Sequence, residues 1–406
     1  MPDLRPVTFT ARYVFPVDRP PIEGGAVTIA GDRILAVGRR ENRADDVDLG
    51  DVAILPGLVN AHTHLEFSNL RSPLGAQGMP LPQWIRKVIA FRASPEYDPG
   101  LSIQQGLVES AAAGVTALGE IVTSGWTREV EPQADVLLFR ELIGLAEERF
   151  GKCLDDAREH LSIVRPDELA AGVSPHAPYS VHPELLGDLV ELAGRYEAPL
   201  AMHLAESREE LEFLKTGGGS FRAFLEEIGA WREGVFRFPI EPIEYLHTLA
   251  KGPRALVVHG NYLGSAEWEF LADNRDRMSV VYCPRTHGYF GHEPYPLAEL
   301  LARGVSVALG TDSRASNPDL SILAEMRQVA AHCPAVSAQQ ILSLATAGGA
   351  KALGREHGQG TLTAGKLANL CVVGLPEAGN YDPHKLLLEG DGRVLRTCWR
   401  GQWVFP

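Results

Sequence analysis

Short apolar runs alternate with amphipathic stretches through the middle of the chain, and the period of each predicts an element. Ala198-Pro-Leu-Ala-Met, Ala255-Leu-Val-Val and Val305-Ser-Val-Ala-Leu are too short for helices and suit strands buried on both faces. Between such runs, Ile103–Ala113, Pro183–Tyr196, Arg208–Lys215 and Ser337–Leu353 carry helical periodicity. Strand and helix in alternation imply parallel strands joined by crossover helices. Eight candidate strands end near Asn60, Glu120, Gly144, Pro175, His203, His259, Cys283 and Asp312. An α/β fold of the (β/α)8 barrel type follows.

The two ends of the chain read differently. Ala26-Val-Thr-Ile-Ala, Gly31-Asp and Arg33-Ile-Leu-Ala-Val form a hairpin signal. Near the other end, Ala368-Asn-Leu-Cys-Val-Val and Val394-Leu-Arg-Thr-Cys-Trp are strand runs separated by Gly, Pro and Asp. Residues 1–54 and 358–406 are therefore expected to pair into a small composite β-sandwich, leaving 55–357 for the barrel. Gly217-Gly-Gly opens an aromatic-rich excursion to about Lys251, long enough to cover the barrel mouth.

Charge narrows the function. With 38 Lys and Arg against 52 Asp and Glu, the net charge of −14 excludes a phosphate-backbone partner, which demands a basic face. Met1 to Pro16 carries no long apolar run behind a basic start, and 18 uninterrupted apolar residues occur nowhere. A cytoplasmic protein with no membrane partner is the expectation. The five cysteines, Cys153, Cys283, Cys333, Cys371 and Cys398, form no C-x-x-C pair and read as free thiols.

Barrel enzymes gather their chemistry at strand C-termini, and here several strands end in His or Asp. His62 and His64 lie two apart, so on a strand both imidazoles leave the same face and can grip one ion. A single H-x-H is more often a solvated strand end; it gains meaning from His203 and Asp312, which follow buried-strand patterns of their own. Three imidazoles and a carboxylate suit one Zn²⁺, with Fe²⁺ or Mn²⁺ as alternatives, and leave a position for water. For Asp312 the competing role is a helix N-cap, which Ser316 or Asn317 could also fill. Glu206, three after His203, is placed to shuttle protons, or else is a solvated helix-start glutamate. His259 ends its strand as an orienting group for the attacking water or as a hydrogen-bonded structural histidine. Arg285, His287 and His292 follow the seventh strand as a cationic cluster able to hold a carboxylate, or as a solvated loop.

Taken in order, these residues carry a resemblance. Pro56-Gly-Leu-Val-Asn-Ala-His-Thr-His resembles the first-strand signature of the amidohydrolase superfamily. The set H-x-H, H-x-x-E, His and Thr-Asp-Ser is similar to its adenosine, cytosine and chlorotriazine deaminase branch. The resemblance spans nearly the whole chain. It implies a barrel with a β-sandwich from both termini, metal ligation by His62, His64, His203 and Asp312, and catalytic roles for Glu206, His259 and Asp312. Ala171-Gly-Val-Ser-Pro-His offers no bridging lysine, so one metal is implied; Glu120 at the second strand end is the residue that could support a second.

Leu65-Glu-Phe-Ser and Ser174-Pro-His-Ala-Pro-Tyr-Ser resemble the aminodeoxyfutalosine deaminases of menaquinone biosynthesis, which implies that His176 touches the purine. Glu66 stands where the branch usually has a proline-bearing tail, and it joins the candidate substrate contacts. The expected activity is hydrolytic deamination of a small aminopurine nucleoside. A hydrolase of a cyclic amide or a halogenated ring is the alternative, and a non-catalytic member of the fold a third. Oligomeric state is left open.

Overall fold

Eight parallel strands stand where the apolar runs predict them in the computed structural model, which describes residues 5–41, 44–123, 126, 132–163, 167–376 and 382–406. In order around the barrel they are Leu58–Thr63, Val115–Val122, Asp135–Leu142, Leu169–Pro175, Leu200–Leu204, Ala255–His259, Met278–Tyr282 and Val307–Leu309. Six of them, the first, second and fifth to eighth, are buried at every position, as strands sandwiched between side chains inside and helices outside must be. The eighth returns to the first through a parallel bridge from Asp312 to Thr63. His62 O accepts the backbone N–H of both Thr311 and Asp312 at 3.1 Å.

Helices Pro99–Ala112, Pro183–Arg195 and Arg208–Thr216 lie within a few residues of the expected ranges. Their starts have local causes. Asp98 caps Leu101 N–H, His182 Nδ1 accepts from Glu184 N–H, and Ser207 accepts from Glu210 N–H. The expected Ser337–Leu353 helix is broken into Ala338–Ser343, a π-helical turn at Leu344–Gly348 and Gly349–Ala352. The extra residue of that turn seats Gly348 and Gly349 against the barrel strands, where a Cβ would fall 2.6 Å from Val307 O and from Val59 Cβ respectively.

The chain ends form one continuous mixed sheet of eight strands. Its order is Gln402–Phe405, Val394–Trp399, Leu370–Gly374, Val52–Pro56, Val7–Val14, Ile22–Ala30 and Arg33–Arg39, with Val47–Asp48 beside Val7–Val14. It has its own apolar cluster, which includes Phe9, Val27, Ile54, Leu370 and Val372. By its pairings the strand Val52–Pro56 belongs wholly to this sheet, and the chain passes into the barrel at Gly57. Asp135, at the start of the third barrel strand, is buried and accepts from Arg400 Nη2 at 2.6 Å, tying the barrel floor to the sheet. The opposite face, at the strand C-termini, is left for chemistry. All five cysteines are free, and among the described residues no helix is long and apolar enough to cross a membrane.

Gly119 marks how tightly the first two strands approach: a Cβ there would lie 2.3 Å from Ala61 O. Gly119→Ala is expected to lower stability by about 1–3 kcal/mol through overpacking against backbone that cannot yield. A urea unfolding curve checks this, and an unchanged midpoint would refute it.

Candidate active site

The first strand, buried throughout, delivers His62 and His64 to the barrel mouth on one face. The fifth strand delivers His203, and the turn after the eighth delivers Asp312. The ligand atoms of His62, His64 and His203 all lie within 4.8 Å of one another. Asp312 Oδ1 is 3.8 Å from His62 Nε2 and 3.7 Å from His64 Nε2. His203 Nδ1 is held by His176 O at 3.0 Å, which turns the other ring nitrogen toward this centre.

Three strand ends reach the mouth through backbone that side-chain-bearing residues rarely adopt: Ala205, His259 and Asp312 have φ of 53°, 68° and 56°. Such conformations persist only where surrounding contacts over-determine them. After Ala205, the buried Glu210 carboxylate accepts Ala205 N–H at 2.8 Å and Glu206 N–H at 2.9 Å, while Asn261 Nδ2 donates to Glu206 O at 2.8 Å. These bonds fix Glu206 beside His259, with Oε1 and Nε2 3.6 Å apart. Ser207, not Glu206, caps the following helix. Asp312 likewise caps no helix: Ser321 caps Ile322–His332, and Asp312 Oδ2 accepts from Ser316 Oγ at 3.1 Å.

Burial sets the charge states. It drives His62, His64 and His259 well below the ordinary histidine range, helped by repulsion from neighbouring imidazoles, and takes His203 to about 4. Neutral imidazoles keep a lone pair for a cation. Burial raises Asp312 to about 7 and lifts Glu206 well above the carboxylate range, the latter reinforced by Asp312 and Glu210. A divalent ion fits this donor set: His62 Nε2 and His64 Nδ1 are buried with no hydrogen-bond partner, and buried polar atoms seldom lack one. Among the described residues the candidate group is the three histidines. Glu120 stands apart from it, accepting Leu65 N–H at 3.0 Å on both carboxylate oxygens and so bracing the chain just after His64.

The centre opens into a cavity of about 330 Å³. His64, His176, His203, Glu206, His259 and Asp312 line its inner end. Its walls are apolar: Leu81, Ile85 and Val88 on helix Leu81–Arg92 face Phe224 and Leu225 on helix Gly219–Glu227, with Ile228 just beyond. Residues 224–232 belong to the expected excursion over the mouth, and Glu227 there accepts from Arg86 Nε at 3.0 Å across the two lips.

Four expected substrate contacts lie elsewhere. Arg285 donates to Glu325 at 2.7 Å and to Asp319 at 2.6 Å, so its charge is spent on neutralising a fully buried glutamate. His287 bonds Asn261 Oδ1 at 3.2 Å and Glu293 O at 2.8 Å, and His292 bonds Tyr262 at 3.0 Å. None of the trio expected to hold a carboxylate lines the cavity: Arg285 braces the segment from Asp319 to Glu325, and His287 and His292 bond Asn261 and Tyr262 in the loop after His259. Glu66 also lies off the cavity lining, taking Arg92 Nη2 at 2.7 Å and Thr123 Oγ1 at 3.2 Å together with Tyr97. Cavity residues that the sequence reading missed are Arg92, Glu141, Arg149 and Arg232. Glu141 sits at a third strand end, the one positional signal that could have found it. Arg92, Arg149 and Arg232 carry no local mark.

Residues 53–404 match the amidohydrolase family. A 5-methylthioadenosine/S-adenosylhomocysteine deaminase of Moorella thermoacetica is 31% identical over 397 residues, covering 91% of this chain and 86% of that one. One from Pelotomaculum thermopropionicum is 32% identical over 375 residues, covering 86% and 80%. Among solved structures, the aminofutalosine deaminase of Helicobacter pylori in complex with methylthio-coformycin superposes with a TM-score of 0.84 at 23% identity, covering 98% of this chain and all of that one. An adenosine deaminase of Xanthomonas campestris with bound zinc gives 0.75 at 25%, covering 100% and 94%.

Arg285→Ala strands Glu325 in the interior and is expected to cost ~3 kcal/mol of stability. Any loss of activity should be uniform across substrates with and without a carboxylate. Chemical denaturation and parallel kcat/KM measurements check this; a loss confined to carboxylate-bearing substrates would restore Arg285 to the binding site.

Proposed function

The chain belongs to the amidohydrolase family, and from that premise we propose that it is a metal-dependent hydrolytic deaminase of adenine nucleosides whose favoured substrate is 6-amino-6-deoxyfutalosine. The observation that carries this reading is the juxtaposition, at the inner end of one apolar cavity, of three buried neutral imidazoles and Asp312 with the Glu206 and His259 pair. His62, His64, His203 and Asp312 would hold one ion, Zn²⁺ before Fe²⁺ or Mn²⁺ given the nitrogen-rich set. When bound, the ion supplies a Lewis acid that brings the pKa of water toward neutrality.

The protein's own groups do the rest. Water adds its oxygen to the amino-bearing ring carbon and ammonia leaves, so one proton must reach the adjacent ring nitrogen and another the departing amine. Glu206, whose pKa burial lifts above the usual carboxylate range, can take a proton from the attacking water, hand it to the ring nitrogen and carry the next one to the departing amine. His259, 3.6 Å from Glu206 and neutral, orients the water by hydrogen bonding. The apolar helices bordering the cavity exclude bulk water and accept the purine faces.

Arg149 and Arg232 support the carboxylate-bearing substrate. Both line the cavity, both are exposed, and neither has a carboxylate partner among the described residues; Arg232 donates only to Gly229 O and Trp231 O. Beyond an apolar wall suited to an aromatic tail, they could take the anion at its end. The rival substrates are 5-methylthioadenosine and S-adenosylhomocysteine, favoured by the named activity of the relatives at 31–32% identity.

Two outcomes are expected. Purified protein should carry close to one divalent ion per chain by elemental analysis, and Glu206→Gln should keep that ion while turnover falls ~10²-fold or more; loss of the ion from this variant would make Glu206 a ligand. In side-by-side assays, 6-amino-6-deoxyfutalosine should exceed adenosine in kcat/KM by about ten- to a hundredfold, the worth of a charge-assisted bond, and Arg232→Ala should narrow that ratio. A larger kcat/KM for 5-methylthioadenosine or S-adenosylhomocysteine would transfer the assignment to the rival.

A further inference from the structure

Glu141 is a buried carboxylate that receives no hydrogen bond among the described residues. It lies one residue from the end of the third barrel strand, its side chain is 5% exposed, and it lines the cavity. Its nearest cation, Arg92 Nη2, stands 4.0 Å away and is turned to Glu66 at 2.7 Å; its other neighbour is His176 Nε2 at 3.9 Å. Both separations exceed hydrogen-bond length. Glu66, by contrast, receives Arg92, Thr123 and Tyr97.

His176 presents a second acceptor to the same space. Ser180 Oγ gives its one proton to Ala177 O at 3.1 Å, so it accepts from His176 Nδ1–H at 2.7 Å, and Nε2 of the neutral ring is left with a bare lone pair. Two acceptors 3.9 Å apart with no donor between them call for a ligand that brings donors. An adenine nucleoside carries donors in two places, the exocyclic amine and the sugar hydroxyls. The amine must lie at the imidazole centre to be expelled. His176 adjoins that centre, 5.2 Å from His203 between ring centroids, and Glu141 lies 3.9 Å from its Nε2.

Resting on the deaminase reading, we infer that Glu141, with His176 Nε2 beside it, is the specificity residue that receives the vicinal hydroxyls of the substrate's ribose. The two hydroxyls of a cis diol can each reach one acceptor, and the purine is thereby set at a fixed depth. Neighbouring Arg92, committed to Glu66, positions Glu141 by charge without closing on it.

The test compares adenosine with 2′-deoxy-, 3′-deoxy- and 2′,3′-dideoxyadenosine on the wild type and on Glu141→Ala and Glu141→Gln. The wild type should favour adenosine over the dideoxy compound by about ten- to a hundredfold in kcat/KM, as befits hydrogen bonds to a charged group. Glu141→Ala should lose that margin by slowing on adenosine while staying near wild type on the dideoxy compound. A folding defect would lower both alike, so it cannot imitate the result. A preference unchanged in Glu141→Ala, or absent from the wild type, overturns the inference, as does a loss that appears only with the ammonium-bearing S-adenosylhomocysteine. Calorimetric Kd values for inosine and 2′,3′-dideoxyinosine give a readout independent of turnover. If no adenine nucleoside is deaminated, the reaction assignment falls, and these binding ratios still decide whether Glu141 reads the diol.

Discussion

The closure of the barrel on His62 is the constraint from which the site follows. One carbonyl, His62 O, receives the N–H groups of Thr311 and Asp312, and Asn60 on the same strand exchanges bonds with Thr311, through Nδ2 to Oγ1 at 2.7 Å and Thr311 N–H to Oδ1 at 3.1 Å. Gly310 lets the backbones meet, since a Cβ there would sit 3.0 Å from His62 O. The ring of strands therefore closes at the point where the first and last strands present His62, His64 and Asp312. A barrel that failed to close would hold those groups apart, because Asp312 stands 3.7–3.8 Å from the two imidazoles with no hydrogen bond joining it to them.

That geometry carries an electrostatic cost met by the surrounding bonds. Asp312, Glu206, Glu210 and Glu141 are all nearly or fully buried within one end of the barrel, and burial raises the pKa of each. Glu210 is compensated by backbone N–H donors, Asp312 by Ser316 and Ser313, and Glu325 farther back by Arg285 and Asn317. Among the described residues Glu206 and Glu141 have no such donors, and both line the cavity. Glu210 and Glu325, satisfied by the protein, hold the scaffold, Glu206 and Glu141 face the space that a ligand fills, and Asp312, held by Ser316 and Ser313, also faces it.

Two helices give that space its character. Leu81–Arg92 and Gly219–Glu227 supply apolar walls, and Arg86 donating to Glu227 ties their outer edges together. The histidines thus lie at the closed end of a channel with apolar sides and guanidinium groups at Arg149 and Arg232 on its outer reach. An elongated ligand with a hydrogen-bonding head, a flat body and an anionic tail matches that sequence of surfaces.

The sequence by itself determined what is local: where the strands run, the type of each end, and the residues that terminate each strand. Period and apolar run length report burial directly, and a strand's last residues must emerge at the barrel mouth, so His62, His64, His203, His259 and Asp312 were legible before any contact was known. Glu206 was legible through its spacing from His203. What only the tertiary structure decided is which charged groups find partners within the protein. Arg285 follows a strand as a binding residue would, yet Glu325, forty positions on, folds beneath it and takes its charge. Glu66 follows the histidine pair, yet Arg92 and Tyr97 enclose it. Arg92, Arg149 and Arg232 reached the cavity from helices and loops with no periodic mark. Pairing of charges depends on distances between segments remote in the chain, and that information is set by packing alone.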